Sequence, residues 1–523
     1  MSAEVSLKAF LEQFTAKVAR KEKQLQKAHW LLQTTGSQDA ADLKADLETE
    51  CKLLFSDKGT YEQLLAWDGD KSLTDPVLQR QLNVLIRAFK QNMLPEELLQ
   101  QIADKEARLN QIYGNFRAKL DGKLLSENEI LKLLKEEKDP KKRKQVWEAS
   151  KEIGKQMAPE ILSLVALRNR AAIELGYSDY FSMMLQLQEV DEKWLFETLE
   201  ELVKQSDGAY NKMLEGLQKK QSEKFQVSVQ ELGPWAWCDP FCQGDPLDVR
   251  ELDTLVDKLD FLKVASDFYQ AMGIDVQGIV DRSDNFEREG KNQHAFCQNI
   301  NRGEDVRMLN NVKPTIRWLE TVLHELGHAV YELGFDSKLP WLLREPPHMI
   351  TTEAMALLAG RQAYRDGFLK RVVESSDHKK GLMAKGEQSL TRRQLIFSRF
   401  VMVMTSVERE LYRNPKQDMN KVWWDAVKKY QKVSPPGKRE GGTDWAAKVH
   451  MGLAPVYYFS YLLGELFASS IEEKLGELAT AESGQFLREK LFFPGNSLSW
   501  NKLIEHVTGN PLTSNDWLKQ FAK

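Results

Sequence analysis

Five consecutive residues, His324-Glu325-Leu326-Gly327-His328, bring together side chains that can perform hydrolysis. On a helix, positions i and i+4 share a face, so both imidazoles can reach one cation, with the carboxylate close beside it. Zinc suits imidazole donors, and a neighbouring carboxylate can take a proton from an attacking water. Residues 317–333, RWLETVLHELGHAVYEL, contain no proline. They set Trp318, Leu319, Val322, Leu323, Leu326, Ala329 and Val330 on a broad apolar face, the pattern of an amphipathic helix. Two histidines and a glutamate on so apolar a helix are costly to bury without a metal.

A catalytic zinc ion usually has three protein ligands and one open position. The expected third ligand is Glu353, in Ile350-Thr351-Thr352-Glu353-Ala354 near the start of the next predicted helix. A glutamate in a first helical turn is often only a capping carboxylate, and the upstream motif is what singles this one out. Glu345, in a stretch broken by Pro340, Pro346 and Pro347, is the alternative. A tetrahedral oxyanion needs donors beyond the metal. The segment 448–467, KVHMGLAPVYYFSYLLGELF, offers His450, Tyr457, Tyr458 and Tyr461. Read as a helix, it puts Tyr458 and Tyr461 on one face, although a tyrosine row of this kind is more often core.

The elements that must position these groups are mostly helical. Residues 5–33, 39–56, 77–92, 95–121, 127–153, 157–175 and 192–224 carry helical periodicity, and only 17 prolines interrupt the 523 residues. The Pro/Trp/Cys-rich stretch 231–250 reads as a hinge or subdomain junction. Asn301-Arg302-Gly303-Glu304 reads as a turn with its flanks, 294–300 and 305–307, as strands, which predicts a small hairpin. A helix is expected from near Thr351 through 369, and a loop at 433–444. The approximate subdomains are 1–125, 126–240 and 241–523, within one catalytic unit spanning 1–523.

The chain is 42% hydrophobic and 29% charged, with net charge −4. This balance offers no basic excess for nucleic acid or an anionic membrane. No stretch approaches the length and apolarity of a membrane span or signal core, so a cytoplasmic location is expected. Four cysteines, Cys51, Cys238, Cys242 and Cys297, do not make a disulfide framework in a chain this long. Cys238 and Cys242 lack a matching second pair and read as unrelated thiols.

Several segments, dense between about 290 and 470, together resemble the peptidyl-dipeptidases related to angiotensin-converting enzyme. His294-Ala295 resembles that family's CHASAW strand, and HELGH its HEMGH. Glu353-Ala354 resembles the downstream Glu-Ala. Trp423-Trp424, Lys429-Tyr430-Gln431 and Pro435-Pro436 resemble its WW, KYQ and PP landmarks. Lys448-Val449-His450 looks like its Lys-x-His, and Tyr458-Phe459-Ser460-Tyr461 like its Tyr-x-x-Tyr. Each landmark is weak alone, and their shared order makes the combination specific.

The resemblance implies a mainly α, two-lobed zinc peptidase with a deep central cleft, a small hairpin near the active site and N-terminal helices acting as a lid. It implies one Zn2+ per chain on His324, His328 and Glu353, with Glu325 as general base and acid. His450 and Tyr461 would stabilise the oxyanion. His294 and the Ala295 backbone would hold an extended peptide as an added strand. Lys448 and Tyr458 would bind a free C-terminal carboxylate. The implied partners are short peptides with a free C-terminus.

The chain also departs from the family pattern. Gln293 replaces the cysteine before His294, and Leu357 an aspartate that orients a zinc ligand. Ser460 and Val427 replace two chloride-binding arginines, so no specific chloride is expected. The step from His450 to the tyrosines differs by one residue, which leaves Tyr457 as an alternative to Tyr458. Residues 458–465 also look like the YYGYLWSE of thimet oligopeptidases. An endopeptidase of that type, a helical metallocarboxypeptidase and a metal-free peptide binder are therefore the competing readings.

Overall fold

The computed structural model describes residues 2–247, 250–374 and 376–523. The chain forms two compact units. One comprises Met1–Met93, Arg250–Glu387 and Leu463–Thr513, the other Leu94–Val249, Gln388–Leu462 and Ser514–Lys523. The secondary structure is mainly helical, and the described strands form two antiparallel two-stranded sheets.

The first unit opens with the helix Ala3–Thr35, stopped at Gly36, whose φ of 65° gives the left-handed cap that glycine adopts freely. Its inner face joins the helices Lys58–Asp68 and Pro76–Gln91 in a core of Leu7, Leu11, Leu64, Leu82, Leu85 and Phe89. The hairpin expected over 294–307 forms with its first strand starting two residues later, from Phe296–Asn299 and Val306–Leu309, with Cys297 opposite Met308. The HELGH helix runs Ile316–Leu333, with the Thr315 side chain accepting the Trp318 N–H at its start. Leu319, Val322, Leu323, Leu326, Ala329 and Val330 are all buried, as their spacing predicts. Each buried Leu or Val contributes about 1.5–3 kcal/mol, which makes this helix a rigid base.

The next helix, Met349–Gly360, begins two residues before the expected start, because the His348 ring accepts the Ile350 N–H at 3.0 Å and caps it. It also ends sooner, giving way to a tighter turn at Arg361–Tyr364 and a separate helix Asp366–Val372.

In the second unit two expected helices break. The helix read as 95–121 stops at Asn115, and Ala118–Leu120 pairs with Lys123–Leu125 around Asp121 and Gly122, both at positive φ. The stretch read as 127–153 divides at Asp139-Pro140, where the aspartate caps a new helix, Pro140–Lys151, and proline takes its first position. Ile153–Glu174, Tyr180–Leu187 and the long Glu192–Phe225 helix follow. The segment 448–467 is not one helix. His450–Leu453 forms a single turn, and a new helix starts only at Phe459. Pro455 and Val456, the latter with φ of 54°, interrupt it.

Candidate metal centre

His324, Glu325 and His328 project from the HELGH helix, and Glu353 from the helix Met349–Gly360. One ligand atom from each of His324, His328 and Glu353 lies within 4.8 Å of the others. His324 Nε2 stands 3.9 Å from Glu353 Oε2, too far for a direct hydrogen bond and within reach of a common cation. The close approach of the two helices depends on small residues. A Cβ at Gly327 would lie 2.6 Å from the Ala356 Cα; on a third helix, Phe459–Leu475, one at Gly464 would lie 3.1 Å from the Glu353 Cβ. Glycine between the histidines thus lets the carboxylate-bearing helix come close enough for Glu353 to join them.

The outer atoms of both imidazoles are engaged. His328 Nδ1 lies 2.7 Å from the Thr352 hydroxyl, and the His324 ring bonds the Ala356 carbonyl. Such bonds fix ring orientation and leave the other nitrogen for a metal. Burial pushes the His324 imidazole down to about 4 and His328 in the same direction, so both are neutral near pH 7 and have lone pairs to donate. Burial, and then the Glu353 charge, push Glu325 up to about 8, while the Cys297 N–H partly offsets this. A dication would act against the rise at Glu325 and would keep both imidazoles unprotonated. Two neutral imidazoles beside two buried carboxylates are a donor set that fits Zn2+.

The Cys297 N–H points at Glu325, away from the strand Val306–Leu309. Alternate residues of an antiparallel strand present their backbone to the same edge. Ala295 lies just before the strand, two residues from Cys297, while His294 is exposed and its N–H donates to the Asn292 side chain at 2.9 Å. Glu345 lies elsewhere, bonded to Arg302 at 2.8 Å and to Asn496 at 3.0 Å.

In the second unit, Lys448 Nζ donates to the Gln243 side-chain oxygen at 3.0 Å, and the Tyr458 hydroxyl donates to the same atom at 3.2 Å. Both donors therefore converge on one oxygen. The ring of Tyr458 lies 5.1 Å from His450 and 5.4 Å from Tyr461, whereas Tyr457 packs on Tyr461 at 5.2 Å. Burial lowers Lys448 to about 8. Burial and then Lys448 lower His450 to about 4. Gln243 was not anticipated from sequence. Its loop is set by Asp239, whose carboxylate accepts N–H bonds from Phe241, Gln243 and Gly244. Asp239-Pro240 and Gly244 signal a turn, but not where the glutamine side chain points.

Residues 1–234 and 240–522 match the model of peptidase family M2, angiotensin-converting enzyme. The chain belongs to the angiotensin-converting enzyme family. It is 23% identical to the angiotensin-converting enzyme of Mesocricetus auratus, over 97% of this chain and 42% of that protein. Against the angiotensin-converting enzyme-like protein Ace3 of Mus musculus identity is 22%, over 83% of this chain and 65% of the relative. Carboxypeptidase 1 of Bacillus subtilis is 24% identical over 47% of this chain and 53% of its own length. The chain thus spans less than half the length of the hamster relative. Its family is one of peptidases. No helix among the described residues is long and apolar enough to cross a membrane.

Proposed function

We propose that the protein is a zinc-dependent peptidase that releases dipeptides from the C-terminus of short peptides. The observation that carries this reading is the convergence of His324, His328 and Glu353, with Glu325 beside them on the same helix face. In this reading those three residues hold the ion. Bound zinc supplies Lewis-acid polarisation of the scissile carbonyl and makes water more acidic. Glu325 takes the proton of the attacking water on its carboxylate and later delivers it to the leaving amine nitrogen. His450 and Tyr461 donate to the oxyanion, and the Ala295 backbone with His294 aligns the peptide as an added strand. Lys448 and Tyr458 read the terminal carboxylate, whose oxygen would take the place of the Gln243 side-chain oxygen between them.

The cytoplasmic location belongs to the same reading. The four cysteines are free thiols, which suits a reducing compartment. Similarity to Carboxypeptidase 1 keeps single-residue release as a second reading.

The test is mass spectrometry of products from a peptide series with free and amidated C-termini. Dipeptides are expected, with amidation lowering kcat/KM by about 10–100-fold, the size of one charge-assisted hydrogen bond. Single residues would establish the carboxypeptidase reading, and equal cleavage of amidated peptides the endopeptidase one. A protein that holds no zinc on metal analysis and cleaves none of them would leave the metal-free peptide binder.

A further inference from the structure

His450 and Tyr458 ride on a strap, residues 448–458, that is irregular for most of its length. Near its end Val456 is buried, with φ of 54°. In a β-branched residue this left-handed conformation is strained, because the side chain crowds the adjoining carbonyl. Such backbone persists only where its surroundings over-determine it. Here the peptide groups of Val456 are held from both sides. Its N–H donates to Glu408 Oε1 at 2.6 Å, and its carbonyl accepts from Gln188 Nε2 at 3.1 Å.

The other end of the same segment is fastened as well. The Gly452 carbonyl accepts from Arg168 at 2.9 Å, and Arg168 is held in turn by the Tyr412 hydroxyl at 3.1 Å and Glu106 at 2.7 Å. Glu408 and Tyr412 stand at i and i+4 on the helix Asp377–Arg413, on one face. That face therefore acts on Val456 directly and on Gly452 through Arg168. Glu408 is only 3% exposed and takes no part in the chemistry proposed above. A buried carboxylate is costly unless it is hydrogen-bonded, and a strained N–H that no regular element satisfies is its partner here.

We infer that Glu408 is a positioning residue. By accepting the Val456 N–H it holds the strap in a conformation its own sequence disfavours, and so keeps His450 and Tyr458 in register. The inference rests on the roles proposed for those two residues, but the clamp can be measured without them.

The experiment compares Glu408→Ala, Glu408→Gln and Glu408→Ala combined with Val456→Gly, using the full zinc-loaded chain. Two readouts are taken: amide hydrogen exchange of a peptide covering 449–458, and kcat/KM on a peptide with a free C-terminus. Glu408→Ala should speed exchange in the strap and lower kcat/KM, each by about tenfold, the size of one lost buried hydrogen bond, with zinc content unchanged. Glu408→Gln retains a carbonyl acceptor and should stay within about threefold of the parent. Val456→Gly should restore part of the Glu408→Ala loss in kcat/KM, since glycine adopts positive φ freely.

A Glu408→Gln variant as impaired as Glu408→Ala would overturn the inference, because the charge and not the N–H acceptor would then matter. A folded Glu408→Ala variant with parent-like exchange and turnover would also overturn it. If Glu408→Ala does not accumulate folded, Gln188→Ala loosens the same residue from its carbonyl side and carries the same expectations. If the parent cleaves no peptide, the peptidase reading fails while the exchange comparison still decides the clamp.

Discussion

At the scale of single residues, the centre is arranged so that burial does most of the electrostatic work. Glu325 sits where desolvation favours its protonated form, and it shares that environment with Glu353. Replacing it with glutamine keeps the shape and removes the proton acceptor. Glu325→Gln should therefore bind zinc with the parent stoichiometry and lose turnover by about 10²–10⁴-fold. Metal analysis beside steady-state kinetics checks this, and near-normal kcat would dismiss the residue as the base. Lys448 gives a pH signature. Burial sets its ammonium near 8, so the charged form prevails below that pH and is lost above it. KM for a peptide with a free C-terminus should rise as pH passes above about 8, while KM for the amidated peptide stays flat. A carboxylate bound beside the lysine would push the transition higher in the complex than in the free enzyme. Parallel pH profiles for the two peptides would remove Lys448 from carboxylate recognition.

At the scale of elements, the candidate centre is a contact between two helices. A histidine pair i, i+4 on Ile316–Leu333 needs a carboxylate from Met349–Gly360, and Gly327 sets how near the second helix comes. In an isolated helix Gly→Ala is stabilising by about 1 kcal/mol. Here the added methyl would meet the Ala356 backbone at 2.6 Å, and overpacking of this kind costs about 1–3 kcal/mol. The clash should win. Gly327→Ala is expected to lower Tm and to weaken zinc binding by about tenfold or more, of the order seen when the supports of metal ligands are disturbed. A zinc titration and a thermal melt measure the two effects. A more stable variant with parent affinity would mean that the helices can separate without moving Glu353.

At the scale of the molecule, the proposed ligands all belong to one of the two units. Metal that binds only the folded state stabilises what it binds, by about 2.7 kcal/mol at a free concentration one-hundredfold above Kd. Chelation should therefore loosen the unit containing residues 250–387 and leave amide exchange in 94–247 close to that of the holo protein. Exchange mass spectrometry before and after chelation, with zinc added back, tests this. Uniform loosening of both units would show that they unfold as one cooperative body.

What could be read from the residues was local and periodic. The helix around HELGH follows from its apolar spacing, the hairpin from Asn301-Arg302-Gly303-Glu304, and the mainly α class from the same periodicity over the whole chain. The family followed from landmarks in a shared order. Other features depended on contacts distant in sequence. Periodicity ran through Asp139-Pro140 and through 116–121 because the residues there do not interrupt an apolar pattern, while capping and turn geometry do interrupt the helix. Pro455 and a strained Val456 break the helix that spacing alone had run through 448–467, dividing the turn of His450 from the tyrosines, and the strain is tolerated only because Glu408 and Gln188 reach it from other helices. Gln243 meets Lys448 and Tyr458 across more than 200 residues of chain. Sequence by itself determined which chemistry the protein can attempt, since that depends on residue types and helical spacing. Tertiary packing decided where each donor points, because direction is set by the neighbours that fill the remaining space.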